Sequence, residues 1–256
     1  MSNKKIGLQL CTVGGFLKTP DEISNTFKKI KQAGYDTIQL IDLSVLNSSD
    51  LKNILDETGI LACSIHTRYE KLCGNTDKVL QDAKIIGYKS IVCPVLEPKV
   101  HNNDINNIIK AVKDLNNIGK ILHDNGITLS YHNHGMEFQQ YGKKLMLEII
   151  YEESDPNYLQ AEIDTYWVQY GGGDPAQWIL KYKNRQPSVH LKDMTIEQNK
   201  QVITEVGNGN LNWDSIFKAL EQAGTEWYIV EQEHTYVKDP FDCIKISRDN
   251  LRKMGY

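Results

Sequence analysis

Five glycines recur at the same place in a repeating unit, and this limits the fold more than any other feature. Gly34, Gly59, Gly87, Gly126 and Gly224 each end a stretch of helical periodicity and stand just before a short apolar run. Glycine at such a point supplies the left-handed stop of a helix. The apolar runs cover residues 6–10, 37–41, 61–66, 90–95, 127–134, 159–164, 188–193 and 227–231. Helix-opening signals fall between them. They include Thr19-Pro20, Ser48-Ser49-Asp50, Asp104, Asp174-Pro175, Asn212-Trp213-Asp214 and Asp239-Pro240, with a fifth helix expected over roughly 143–152. Eight strands alternating with eight helices imply a parallel sheet. At 256 residues, closure into a (β/α)8 barrel of the α/β class is the economical answer, as a single domain over 1–256. An open doubly wound sheet would carry a glycine-rich phosphate loop after its first strand, and Gly14-Gly15 lacks that spacing.

Charge narrows the partners. The formal net charge is −4, with 29 Lys+Arg against 33 Asp+Glu. Neither that balance nor any dense basic cluster favours DNA or another polyanion. The polar Met1-Ser2-Asn3-Lys4 start and the absence of a long apolar run predict a cytoplasmic protein that does not bind membranes. Five cysteines without a CxxC pair read as reduced thiols.

Strand phase gives the barrel a polar lining. Side chains alternate between the helix-packed outer face and the interior. In the fifth strand Ile127, Leu129 and Tyr131 share one face, while Thr128, Ser130, His132 and His134 share the other. The apolar set suits the helices, so the histidines point inward. The same count turns Glu162 and Asp164 inward, then His190 and Lys192, then Glu231 and Glu233; Gln9, Gln39 and His66 extend the lining. Buried carboxylates in such number need a counter-charge. Lys192 can neutralise one. A divalent cation neutralises two and binds the rest. Glu137, Asp164 and Glu231 with His190 form a set suited to Mn²⁺, with Mg²⁺, Co²⁺ or Zn²⁺ as alternatives. His132 competes with Glu137 as the fifth-strand ligand, because it sits in the strand proper and Glu137 must fold back from the loop.

These pieces carry a resemblance. Tyr131-His132-Asn133-His134 with Glu137-Phe138, Asp164-Thr165-Tyr166-Trp167, His190-Leu191-Lys192-Asp193, Glu205-Val206-Gly207-Asn208-Gly209 and Glu231-Gln232-Glu233 stand in order along the chain. Together they resemble the xylose isomerase-like TIM barrel superfamily, in its sugar phosphate isomerase/epimerase branch with inosose dehydratases and ketose 3-epimerases. The resemblance implies one metal ion held by Glu137, Asp164, His190 and Glu231. It implies an isomerase or epimerase of a sugar or sugar phosphate, working by proton abstraction beside a carbonyl through a metal-stabilised enediolate. Glu137 and Glu231 would be the catalytic pair on either side of the metal. His132, His134, His66, Glu233 and Gln9 would meet the substrate's polar groups, Lys192 would stabilise negative charge, and Tyr166 and Trp167 would form an apolar wall. An inosose-type dehydratase on the same site is the alternative, and an apurinic-site endonuclease a more distant one. Homo-oligomerisation is common among such barrels.

Other features have plainer readings. His66 is as readily a satisfied lining residue as a substrate contact. His101, His123 and His234 read as loop or helix-surface residues. Gly171-Gly172-Gly173 reads as a loop before the Asp174 cap. Gly207-Asn208-Gly209, following the seventh strand, is a place where barrels often bind phosphate, but no arginine accompanies it.

Overall fold

The computed structural model describes residues 5–97, 100, 104–235 and 238–256. His101 lies outside the described residues. Eight parallel strands close into a barrel: β1 (Lys5–Gln9), β2 (Thr37–Leu40), β3 (Leu61–His66), β4 (Ser90–Cys93), β5 (Thr128–His132), β8 (Gln160–Asp164), β9 (Ser188–Leu191) and β12 (Trp227–Val230). They follow one another around the barrel in that order, and β12 pairs β1 to close it, with Ile6 opposite Tyr228. Two antiparallel hairpins stand apart from the barrel: β6 (Gln140–Tyr141) with β7 (Lys144–Leu145), and β10 (Asp193–Glu197) with β11 (Lys200–Thr204).

The helices are α1 (Pro20–Gln32), α2 (Ser48–Thr58), α3 (Tyr69–Gly74), α4 (Thr76–Ile86), α5 (Ile105–Asp124), α6 (Met146–Glu152), α7 (Thr165–Tyr170), α8 (Pro175–Lys181), α9 (Trp213–Ala223) and α10 (Pro240–Lys253). Their starts follow the chemistry of the cap. Thr19, Asp174 and Asp239 each accept a backbone N–H of the first turn, with proline in that turn. All five repeating glycines have positive φ, between 64° and 99°. No helix among the described residues is long and apolar enough to cross a membrane.

The hydrophobic core lies between the barrel and its helices. Leu129, Tyr131, Ile163, Val189 and Leu191 are buried there against helix residues such as Ile108, Val112, Leu115 and Ile150. The barrel axis is different. It holds Gln9, Gln39, Ser130, His132, Glu162, Asp164, His190 and Lys192, each no more than 1% exposed. Burying so many polar groups is tolerable only when they bond one another or a ligand, so each partner on this axis matters.

Three elements differ from expectation. The seventh strand stops at Leu191, and the chain leaves the barrel at Asp193 to form the β10–β11 hairpin. Its two-residue turn, Gln198-Asn199, has both residues at positive φ (49° and 62°). Helix α6 starts at Met146, not near residue 143, because Lys144-Leu145 is taken up in pairing with Gln140-Tyr141. Helix α7 begins directly on Asp164, whose side-chain Oδ1 accepts the Trp167 N–H at 2.9 Å and so caps it.

Candidate metal centre

Four side chains from three neighbouring barrel strands and the end of a fourth meet at the carboxyl end of the barrel. His132 ends β5, Asp164 ends β8, His190 lies in β9 and Glu231 follows β12. Each offers one donor atom, and the four atoms lie within 4.8 Å of one another. All four residues are buried, Glu231 being the most open at 4%. Asp164 Oδ2 is 3.9 Å from both His190 Nδ1 and Lys192 Nζ and accepts no hydrogen bond. His132 Nδ1 is also buried without a hydrogen-bond partner. Glu231 is bonded by His190 Nδ1, and Cys11 Sγ donates to its Oε1 at 3.3 Å.

A second group lies beneath the first. Glu162 joins His66, His132 and His190 there, again with donor atoms within 4.8 Å of one another. Unlike Asp164, Glu162 is fully engaged. Gln39 Nε2 donates to its Oε2 at 2.9 Å and Ser188 Oγ donates to the same oxygen. His66 Nε2 and His190 Nε2 each stand 3.0 Å from Oε1, and His132 Nδ1 stands at 3.4 Å.

Lys192, fully buried, sits beside the upper group. Its Nζ is 2.7 Å from Glu233 Oε2 and 3.5 Å from Glu231 Oε1, and it lies 4.9 Å from the Trp167 ring centroid and 5.5 Å from that of Tyr166. Tyr166 and Trp167 therefore pack against a buried lysine. His134 packs against Trp167, with ring centroids 5.4 Å apart. His134 Nδ1 and Trp167 Nε1 are both buried without hydrogen-bond partners.

The charges reinforce one another. Burial alone would favour neutral His190, but Glu162 and Glu231 outweigh it and raise the imidazole to about 10. Burial would also depress Lys192, yet Glu231, Asp164 and Glu233 hold it above its ordinary value. Burial would raise Glu231, but Lys192 and His190 keep it well below the usual carboxylate range. Asp164, with no hydrogen bond on Oδ2, is pushed up to about 7 by burial against the pull of Lys192. Burial, aided by the charge of His190, pushes His132 well below its usual value, and burial takes His134 down to about 4.

Several expected residues are not brought into the upper group. Glu137, expected as both ligand and catalytic carboxylate, is fully buried elsewhere. It accepts Tyr131 Oη–H at 2.7 Å and the His134 backbone N–H at 2.7 Å, one on each oxygen. Tyr131 lies on the outer, helix-packed face of β5, so Glu137 is drawn away from the axis, and His132 occupies the fifth-strand position. Gln9, expected to meet substrate, is also fully buried. Its Nε2 donates to Gln39 Oε1 and its Oε1 accepts the Cys11 N–H. His66 faces the lower group through Nε2.

The Gly207-Asn208-Gly209 loop cradles a carboxylate of the chain itself. Asp193 accepts the N–H groups of Gly207 at 2.8 Å and Gly209 at 3.1 Å, and Trp213 Nε1–H at 2.7 Å. A Cβ at Gly209 would stand 2.2 Å from Asp193 Oδ1, which explains the glycine. Those amides are not free to take a phosphate.

Glu162 was visible as an inward residue but was not assigned to the site. Its signal was the alternation Glu162, Asp164 on one strand. What the pattern could not show is that the lower carboxylate is satisfied and the upper one is not.

A closed eight-stranded parallel barrel with a buried His₂/carboxylate₂ group at its carboxyl end, a group that could hold a metal ion, makes the class of protein a (β/α)8 barrel. More narrowly, residues 27–254 match the family model of the xylose isomerase-like TIM barrel, and the chain belongs to that family. It is 28% identical over 162 residues to inosose dehydratase from Geobacillus thermodenitrificans (strain NG80-2), covering 56% of this chain and 53% of that enzyme. It is 28% identical over 185 residues to inosose dehydratase from Clostridium beijerinckii (strain ATCC 51743 / NCIMB 8052), covering 64% of this chain and 60% of the relative. The match thus spans little more than half the length of these relatives. A crystal structure of a sugar phosphate isomerase/epimerase from Parabacteroides distasonis ATCC 8503 superposes with a TM-score of 0.83 at 24% identity, covering 98% of this chain and 94% of that one. That likeness is one of fold.

Proposed function

We propose that this chain is a metal-dependent enzyme that removes the proton beside the carbonyl of a small polyhydroxy ketone and expels water from the adjacent carbon. The observation that carries this reading is the pairing of two features. One is a buried donor group with a carboxylate oxygen left without a partner; the other is a buried lysine, Lys192, paired directly beside it with the half-buried Glu233.

The donor set fits a cation. Asp164 Oδ2 is a buried acceptor with nothing to accept, a costly state for a carboxylate unless a cation fills the space. Two carboxylates and two imidazoles suit Mn²⁺, Co²⁺ or Zn²⁺ better than Mg²⁺, which prefers an all-oxygen shell. His132, Asp164, His190 and Glu231 would hold the ion, which would polarise the substrate carbonyl and stabilise negative charge on its oxygen.

The protein's own groups handle the protons. Glu233, raised by burial and by the charge of Glu231, is placed to take the proton next to the carbonyl. Lys192 Nζ, 2.7 Å away, holds that carboxylate in position. The electron pair left on carbon forms the new double bond as the neighbouring hydroxyl departs. That hydroxyl leaves as water with a proton from Lys192. Trp167 and Tyr166 screen the lysine from solvent. Withdrawal of Glu137 removes the second carboxylate that a proton exchange between opposite faces of a sugar would use, which favours elimination. Similarity to inosose dehydratases supports the same outcome.

Epimerisation is the second reading, and one observation favours it. His134, following β5, presents a buried Nδ1 without a partner and lies three strand positions around the barrel from Glu231. A proton taken on one side and returned by His134 on the other would invert the carbon. The test is to offer an inosose to the Mn²⁺-loaded protein in D₂O and follow the mass of the product. Loss of one water supports the lyase. Deuterium gain without loss of water replaces it with the epimerase. If neither occurs with Mn²⁺, Co²⁺ or Zn²⁺, this substrate class is wrong.

A further inference from the structure

His190 presents one ring nitrogen to each of the two stacked groups. Nδ1 faces up, bonded to Glu231 Oε2 and 3.9 Å from Asp164 Oδ2. Nε2 faces down, 2.6 Å from Gln39 Oε1 and 3.0 Å from Glu162 Oε1. Which nitrogen carries the proton follows from the neighbours.

The polarity of that neighbourhood is fixed from a backbone amide, which cannot be reversed. The Cys11 N–H donates to Gln9 Oε1 at 3.3 Å, so Gln9 Nε2 must be the end that faces Gln39. Gln9 Nε2 donates to Gln39 Oε1, so Gln39 Nε2 is the end that donates to Glu162 Oε2 and to Ser64 Oγ, each at 2.9 Å. Gln39 Oε1 is therefore an acceptor, and the nearest oxygen of Glu162 is another. Between two acceptors, His190 Nε2 has to carry a hydrogen.

We infer that Glu162, aligned by the Gln9–Gln39 amide chain, is a positioning residue that pins the proton of His190 on Nε2. A cation in the upper group would displace the hydrogen that Nδ1 directs at Glu231, and the ring could then meet that cation only through Nδ1. This inference rests on the reading that a cation occupies the upper group. It also gives the lower cluster of His66, His132, His190 and Glu162 a role other than holding a metal. His190 cannot offer Nε2 to an ion there while Nε2 bears a hydrogen. Metal-bound histidines are generally oriented by an acceptor on their other nitrogen, and loss of that partner typically weakens metal binding about 10–100-fold.

The experiment uses the Zn²⁺-loaded protein, whose diamagnetism permits histidine nitrogen spectra, together with Zn²⁺ affinity measured by chelator competition. Expected in the wild type is a His190 ring with a metal-bound Nδ1 and a protonated Nε2. Glu162→Ala should weaken Zn²⁺ binding about 10–100-fold. Glu162→Asp, which keeps a carboxylate able to accept from both His190 Nε2 and Gln39 Nε2, should recover part of that loss, a rescue that a mere packing defect would not show. Gln39→Met, a milder change in the same chain, should weaken binding and shift the His190 signals if Glu162→Ala fails to fold. Wild-type affinity in Glu162→Ala, or unchanged affinity and signals in Gln39→Met, overturns the inference while leaving the upper site intact. So does a His190 ring bound through Nε2. A wild-type protein that takes up no Zn²⁺ overturns the upper-site reading and this inference with it.

Discussion

Asp164 and Asp193 are both buried aspartates at the carboxyl ends of neighbouring barrel strands, and they do opposite things. Asp193 is saturated: Met194, Gly207 and Gly209 give it backbone N–H groups within 3.1 Å, and Trp213 adds its indole N–H. Asp164 gives one oxygen to the Trp167 N–H and leaves the other without a donor. A saturated carboxylate is an anchor that holds chain together. In the proposed reading, a carboxylate held rigidly but left half-empty is prepared for something that is not part of the chain. The difference lies in the donors around each residue, not in its type or burial.

The sharpest test of that contrast is on the empty side. Asp164→Asn keeps the size of the side chain and its acceptor for Trp167 but removes the negative charge. Cation uptake should be abolished at concentrations that saturate the wild type, as metal analysis after dialysis would show. Folding stability without metal should hold or rise, since an incompletely paired buried charge is removed. A variant that binds the cation normally would make Asp164 a cap and nothing more.

The saturated side should respond in reverse. Asp193→Ala strands the Gly207 and Gly209 amides and the Trp213 indole inside the protein. Each buried donor left unmade costs about 1–3 kcal/mol, and partial access of water to the loop lowers the sum to about 3–5 kcal/mol overall. Denaturant unfolding should show that loss. Zn²⁺ affinity of the folded fraction should stay at the wild-type value. A large loss of affinity with little loss of stability would move Asp193 to the functional side of the comparison.

The same contrast explains what could be read in the sequence. The barrel was legible because it rests on local rules: caps at Thr19, Asp174 and Asp239, left-handed glycines, and alternation along each strand. Alternation also placed Asp164, His190 and Glu231 on one face, and the structure brings them together. Glu137 stands apart from that group because it lies past the end of β5, where alternation no longer governs direction. Its position depends on a 3-10 turn over Met136–Phe138 and on a tyrosine hydroxyl from the outer face of the strand. The β10–β11 hairpin was missed because the apolar run through Leu191 gives no sign that the next aspartate binds a loop some fourteen residues onward.

Glu137 offers the subtlest test, because it is an anchor with few donors. Burial pushes its carboxyl up to about 7, and the Tyr131 and His134 hydrogen bonds pull only partly against this. The sign of the consequence follows from linkage. The unfolded carboxyl ionises near 4.5, while the folded one keeps its proton until about 7. Between these values the folded state holds the extra proton, so this group's contribution to stability falls as pH rises through the window and is level above it. Glu137→Gln cannot ionise, so it should cost stability at pH 5 and cost less, or nothing, at pH 8. A swing on the order of 1–3 kcal/mol is expected, read from urea midpoints at the two values. Cation affinity should be unchanged throughout. If Glu137→Gln instead loses the cation and shows no pH-dependent swing, Glu137 turns inward when the metal arrives, and the division between anchors and ligands fails at the end of β5.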